Sequence, residues 1–389
     1  MNISSTPSFL NTLKKEECYG CMACVNACGT DSISITRDSE GFIYPAVDKN
    51  KCILCGKCAK VCPLVNEPPE LQEGQEVYYA WSNNTQNRLD SSSGGIFSEI
   101  ATTVLSNNGL VYGAAYANDM SVVHIKITTK EELPKIRGSK YIQSDISPTF
   151  KTIKADLKAG KLVYFTGTPC QVSAIKKFTN NPDNLITSDL VCHGVPSSKM
   201  FQDQLSLFDQ KINNISFRDK KRTGWGYDLR LVSDNKTWRM EPLALPYFYG
   251  FWKNLTLRPS CYNCQFATIN REGDITLADY WLVRKSHPSI KTGKGVSAII
   301  VNTDKGCKII EDLNNITVEK SSMVNLLKGL GRLKSPVKKP QSRDLIMLEY
   351  SQKGFSYIAK NYLMPPRQVI LKEKALRGLK QLILFKYWK

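Results

Sequence analysis

Two runs of cysteine constrain this chain before anything else does. Cys18, Cys21, Cys24 and Cys28 are spaced C-x2-C-x2-C-x3-C, and Cys52, Cys55, Cys58 and Cys62 repeat that spacing, with Pro63 behind them. A 4Fe–4S cluster takes four thiolates. Three close cysteines wrap one cluster on a loop, while the fourth, carried into a short helix, reaches the other cluster. The spacing therefore groups Cys18, Cys21 and Cys24 with Cys62, and Cys52, Cys55 and Cys58 with Cys28. Structural zinc sites also use four cysteines at short spacings, but they do not usually place a third and fourth cysteine in this way in both runs.

Residues 10–66 read as one unit, and 10–65 resemble the two-cluster bacterial ferredoxins. Gly29 stands where proline usually follows the first run. Between the runs, ISIT (33–36) and FIYPAV (42–47) alternate as short strands around a turn at 38–41. A linker is expected over 67–76, through the stretch NEPPELQEG.

The chain has 389 residues, 42% of them hydrophobic, which excludes collagen, a coiled-coil rod and wholesale disorder and suggests two or three folded units. No apolar run approaches the ~18 residues of a spanning helix. The N-terminal MNISSTPSFLNTLKKEE lacks the apolar core of a secretory signal. A cytoplasmic protein is expected, so its thirteen cysteines do not read as a disulfide framework, and their spacing is that of metal ligands.

Beyond the linker, strands alternate with helices, an α/β signature. Strands are expected at 77–81, 110–116, 122–127, 162–166 and 185–191, and helices at 96–105, 148–159, 171–178 and 198–208. An antiparallel stretch is expected within 212–240. Four further thiols sit at strand ends or on loops: Cys170 in YFTGTPCQ, Cys192 in LITSDLVC, and the Cys261–Cys264 pair in RPSCYNCQF. A third 4Fe–4S site, a redox-active CxxC pair and unrelated buried thiols all fit that pattern. Cys307 reads as ordinary buried packing. Ser92, Ser93, Gly94 and Gly95, in DSSSGGI before a helix, offer a phosphate close backbone approach and free N–H groups, or form an ordinary cap. Arg137, Gly138, Ser139 and Lys140 set two cations about a glycine turn, for an anionic cofactor or as a solvated basic loop. Of the three histidines, only His193, beside Cys192, has a notable address.

DSSSGGIFSEIA, VYGAAY, IRGSKYIQSDI, FTGTPCQVSAIKKF, DLVCHGVPS, ISFRDKKRTGWGY, RPSCYNCQFA and GDITLADYW resemble the coenzyme F420 hydrogenase/dehydrogenase beta-subunit family. With the ferredoxin head, the chain resembles bacterial members encoded with polysaccharide-biosynthesis enzymes. The resemblance implies a bacterial-type ferredoxin fold fused to a mixed α/β flavin-binding body over 77–330. It implies FAD, contacted by Ser92–Gly95 and Arg137–Lys140 and by Thr166, Gly167 and Thr168, and a third 4Fe–4S cluster on Cys170, Cys192, Cys261 and Cys264. Relatives tend to show GDFWG where this chain has ADYWL at 278–282, a loss of flanking glycines expected to reshape the pocket beside the flavin.

The expected function is an iron–sulfur flavoprotein oxidoreductase. It passes electrons between a ferredoxin or other low-potential carrier and an organic two-electron partner, a small molecule or a glycan-related substrate. The alternatives are an electron-transfer adaptor serving a separate catalytic protein, and a redox-sensing regulator. Of the net charge of +18, residues 331–389 hold fourteen Lys/Arg against three Asp/Glu, so this segment is expected to be a basic extension. Its end, 365–389, reads as a basic amphipathic helix that either lies on an anionic inner-membrane surface or packs on protein. No nucleic-acid motif accompanies the charge.

Overall fold

The computed structural model describes residues 8–64 and 75–366, together with positions 368, 371 and 375. The expected tail helix lies largely outside these residues, and the expected linker almost wholly so.

In the head, β1 (Ile33–Arg37) and β2 (Ile43–Val47) form an antiparallel hairpin registered from Ile33 opposite Val47 to Arg37 opposite Ile43. Asp38 closes its turn by accepting the Phe42 N–H at 2.9 Å, and Gly41 supplies the left-handed φ of +87° that the turn needs. Two short helices, Ala23–Ala27 and Lys57–Lys60, carry the ends of the two cysteine runs and pack on each other.

The body contains β3 (Glu76–Ser82), β4 (Leu110–Tyr116), β5 (Val122–Ile127), β6 (Val163–Gly167) and β7 (Leu185–Leu190). A small antiparallel sheet follows, formed by β8 (Asn214–Ser216), β9 (Leu229–Val232) and β10 (Thr237–Met240). The chain then returns through β11 (Ile275–Asp279), β12 (Ser297–Val301) and β13 (Ile316–Lys320). The large sheet runs β13-β3-β12-β11-β7-β6-β4-β5. Its centre, β4, β6, β7 and β11, is parallel, and the flanking pairs are antiparallel. The fold is mixed α/β with a ferredoxin-type head, as expected. The expected strands and helices up to residue 208 are present within a few residues, as is the antiparallel stretch after 212.

A parallel centre needs covered faces. Helix Ile96–Ser106 buries Ile96, Ile100, Ala101 and Val104 with Val111 and Ile127 of the sheet. Helices Phe150–Lys158 and Pro169–Thr179 bury Phe150, Ile153, Val172 and Ile175 with Val163 and Phe165, and Ala23 of the head joins this core. Each such aliphatic side chain contributes about 1.5–3 kcal/mol by leaving water. The third core, around Phe201, Phe217, Tyr247 and Phe248, is closed by Ile346, Met347 and Ile358 from helices Arg343–Lys353 and Phe355–Asn361. Residues in the 330s to 360s thus help build the body. Cys307, expected to be buried, lies half-exposed in helix Asp304–Glu311 against the sheet core, because that amphipathic helix sits at the molecular surface. Among the described residues no helix is long and apolar enough to cross a membrane.

Candidate functional site

The two cysteine loops of the head share one backbone conformation. Gly20 and Met22 have φ of +68° and +61°, and their counterparts Leu54 and Gly56 have +54° and +71°. Left-handed residues between the thiols turn successive N–H groups toward the concave side, a nest suited to anionic sulfur. The Gly20 N–H donates to Cys18 Sγ at 3.3 Å. Thiol electrostatics report which cysteines meet. Burial pushes Cys21 and Cys24 up, and each is pushed further by neighbouring thiols, Cys24, Cys62 and Cys18 for the first and Cys18, Cys62 and Cys58 for the second. Cys62 of the second run therefore lies with the first three cysteines of the first. Burial raises Cys58, with Cys55 and Cys52 adding to it. At Cys28 the slight burial is outweighed by hydrogen bonds with Ser32 and Thr30, which bring the thiol to about 7.

In the body, Cys170 opens helix Pro169–Thr179, where Thr168 and Gln171 form a reciprocal cap, with Thr168 Oγ1 3.2 Å from Cys170 Sγ. Cys192 follows β7, Cys261 lies within the helical turn Pro259–Asn263, and Cys264 caps its end. Burial raises Cys170 to about 12, with Cys264 and Cys192 contributing, and raises Cys261 to about 12, with Cys264 and Cys170 contributing. Cys192 is raised by burial and then by Cys261 and Cys264. These four thiols, separated by up to 94 positions in the chain, form one group. Among the described residues no three His, Cys, Asp or Glu are gathered around a single-ion position.

The four body thiols open onto a cavity of about 650 Å³ at the carboxyl ends of β6, β7 and β11, where open α/β sheets place their ligands. Tyr19, Gly20 and Cys21 of the head line the same cavity, as do Ser92, Ser93, Gly95, Arg137, Gly138, Ser139, Lys140, Thr166, Gly167 and Thr168. Gly94 does not line it: its N–H donates to Ser297 Oγ at 2.9 Å, and a Cβ there would lie 2.5 Å from the Ala80 carbonyl oxygen. Ser92 Oγ accepts the Ser139 N–H at 2.7 Å, joining the two candidate loops. Arg137 is paired with Asp90 at 3.2 Å. Lys140 has no carboxylate partner among the described residues. Its Nζ donates to the carbonyls of Arg137 and Gly138, and burial lowers its pKa to about 7.

Several wall residues carry no sequence signal. His124 lines the cavity alongside the expected His193. Its ring nitrogens lie 2.7 Å from Ser144 Oγ and 2.9 Å from the Thr166 carbonyl, and burial lowers it to about 4, so it is neutral near pH 7. An aromatic wall is formed by Tyr227, Phe251, Trp252 and Trp281. Trp281 stacks on Trp225 at 4.4 Å, and Arg218, bidentate to Asp279 at 2.7 and 3.0 Å, lies over Tyr227 and Trp281. The tryptophan of ADYWL is thus part of the wall. Lys220 clamps the serine loop from outside, its Nζ donating to the carbonyls of Arg88, Ser93 and Lys294 at 2.6–2.7 Å.

The model of the N-terminal part of the coenzyme F420 hydrogenase/dehydrogenase beta subunit matches residues 77–151, and that of its C terminus matches 160–324. The chain belongs to this family. Its head, residues 17–65, matches the 4Fe–4S dicluster domain, so this beta-subunit relative is an iron–sulfur protein. It is 24% identical over 203 residues to an uncharacterized protein of Methanocaldococcus jannaschii, covering 43% of this chain and 54% of that one. The chain thus spans about half the length of that relative. The head is 30% identical to Ferredoxin-3 of Rhodobacter capsulatus, over 15% of this chain and 77% of the ferredoxin. A chain of the F420-reducing nickel–iron hydrogenase complex from Methanosarcina barkeri, solved as a xenon derivative, is similar over 76% of this chain and 94% of its own, at 16% identity and a TM-score of 0.44.

Proposed function

We propose that this beta-subunit relative is an iron–sulfur flavoprotein oxidoreductase that exchanges electrons between a low-potential one-electron carrier, such as a ferredoxin, and an organic two-electron partner. The observation that carries the reading is the shared cavity, bordered by four body thiols, the Cys21 loop of the head and a serine–lysine shelf. Cys18, Cys21, Cys24 and Cys62 would hold one 4Fe–4S cluster, Cys28, Cys52, Cys55 and Cys58 a second, and Cys170, Cys192, Cys261 and Cys264 a third. A tetrahedral zinc would draw its thiolates to within about 4 Å of one another. A four-iron cluster holds its thiolates farther apart.

FAD suits the shelf. Ser92, Ser139 and the backbone at Gly95 and Gly138 would accommodate its phosphates, and Lys140 would meet their charge. When bound, flavin supplies the exchange between one-electron and two-electron chemistry. The chain's own part is to keep this cavity apolar and aromatic on one side, to hold the ligand by the shelf, and to keep His124 neutral beneath Thr166. The likeness to relatives encoded with polysaccharide-biosynthesis enzymes supports a glycan or glycan precursor as the organic partner. The basic tail, with seven Lys/Arg against one Asp/Glu over 365–389, supports docking at an anionic membrane surface.

Anaerobic purification followed by iron, acid-labile sulfide and flavin analysis tests the reading. About twelve irons and one FAD per chain are expected, and about eight irons with no flavin would overturn it. The family's description as a beta subunit favours a second reading, an adaptor for a separate catalytic chain. Turnover by the isolated chain with a chemical low-potential donor separates the two.

A further inference from the structure

Among the described residues four arginines have side chains almost without solvent access, and three are answered by a carboxylate. Arg271 pairs with Asp189, Arg343 with Glu40 and Arg218 with Asp279, at 3.0, 2.5 and 2.7 Å. Arg258, 0% exposed and the bulkiest of the fully buried side chains, is the exception. Its Nε donates to the Cys18 carbonyl at 2.8 Å, its Nη1 to Gln143 Oε1 at 3.1 Å and its Nη2 to the Ile43 carbonyl at 2.9 Å. Its guanidinium carbon lies 4.2 Å from the centre of the Tyr44 ring. All three acceptors are neutral, and among the described residues no Asp or Glu forms an ion pair with it.

A guanidinium stays charged at every accessible pH, and burying a lone cation costs several kcal/mol. A negative charge must answer it. Arg258 stands three residues before Cys261 and grips the backbone of Cys18, so it lies between two thiol sets. It lines the same cavity as Cys170, Cys192, Cys261 and Cys264. Gly20 makes room for it: a Cβ at that position would lie 2.6 Å from Nη1.

We propose that Arg258 is a positioning residue that acts as the fixed counter-charge of the iron–sulfur centre held by Cys170, Cys192, Cys261 and Cys264, and raises its reduction potential while pinning the head to the body. This rests on the reading that those thiols hold a cluster. One-electron reduction adds one negative charge there, with no bond made or broken, and an adjacent fixed cation favours the reduced form. Net charge and hydrogen bonding near the sulfurs are established determinants of such potentials.

The test uses the full chain, purified anaerobically as wild type, Arg258→Gln and Arg258→Lys, with dithionite as reductant in a potentiometric titration. The signal to follow is the paramagnetic one that Cys261→Ser removes. The glutamine variant, with its iron content intact, is expected to be at least tenfold harder to reduce, a downward shift of about 59 mV for a one-electron centre. The lysine variant, which keeps the charge, is expected to stay near the wild-type potential. An unchanged midpoint in the iron-replete glutamine variant overturns the proposal, as does an equal fall in both variants. If the glutamine variant does not fold, the lysine variant decides: a native midpoint supports the proposal and a tenfold loss overturns it. A wild-type protein with no signal removed by Cys261→Ser would instead reject the cluster reading itself.

Discussion

Arg271 and Asp189 form an ion pair closed to solvent, Nη2 to Oδ1 at 3.0 Å with side-chain exposures of 1% and 0%. Asp189, the penultimate residue of β7, stands three residues before Cys192, and its other oxygen accepts the N–H groups of Glu272 and Gly273, both at 3.0 Å. Removing one partner of such a pair strands the other charge. Asp189→Ala is therefore expected to cost about 3–5 kcal/mol, read as a lower urea midpoint of the full chain.

Cys261 supports a cleaner test, of composition rather than stability. Cys261→Ser is expected to lower iron by about four atoms per chain and leave the eight of the head. Iron and sulfide analysis checks it, and an unchanged iron content would remove Cys261 from the third set.

Lys140 gives a pH dependence whose sign follows from its burial. Its pKa is lowered to about 7 from the ordinary lysine value near 10.4. Between those values the unfolded chain binds a proton that the folded chain does not, so the contribution of Lys140 to stability rises with pH across that window. A phosphate-bearing ligand reverses the preference, because it favours the protonated amine. The groups facing Lys140 are neutral in this range: the Arg137 and Gly138 carbonyls, the Tyr116 ring and the neutral His124. FAD affinity of the flavin-free protein is expected to weaken as pH rises through about 7, and Lys140→Met is expected to flatten that profile. Fluorescence titration at several pH values measures both.

Lys220 touches the candidate flavin shelf only through backbone, by holding the Ser93 carbonyl at 2.6 Å. Lys220→Met leaves three partly buried carbonyls short of a donor, at up to about 1–3 kcal/mol for a group left unsatisfied. FAD binding is expected to weaken tenfold or more while the iron content stays unchanged, a split visible in parallel flavin and iron assays.

How much of this was legible in the sequence depended on whether the signal was local. β4 and β5 were readable residue for residue, because their apolar and β-branched runs are bounded by turn-forming stretches, Asn107–Gly109 before β4 and Ala117–Ser121 between the two. The cysteine runs were readable because ligand spacing is itself local geometry. β12, SAIIV, is buried at every position and carries no alternation to read. Gly94 belongs to a motif that suggests phosphate contact, yet it serves the packing of β3 against β12, a close approach that only the folded sheet creates. Arg258, Lys220 and His124 acquire their places from partners up to 240 positions away. No window of sequence holds both ends of such a contact.

Tyr19, Gly20 and Cys21 belong to the ferredoxin-type head, and they also form part of the cavity wall. A tethered carrier that docks and departs would leave that chamber open to water at each departure. Here the head serves as masonry, so charge delivered to it needs no diffusive search to reach the chamber. Exchanging this head for a free ferredoxin of the same cluster content would supply the electrons and still leave a breach in the wall.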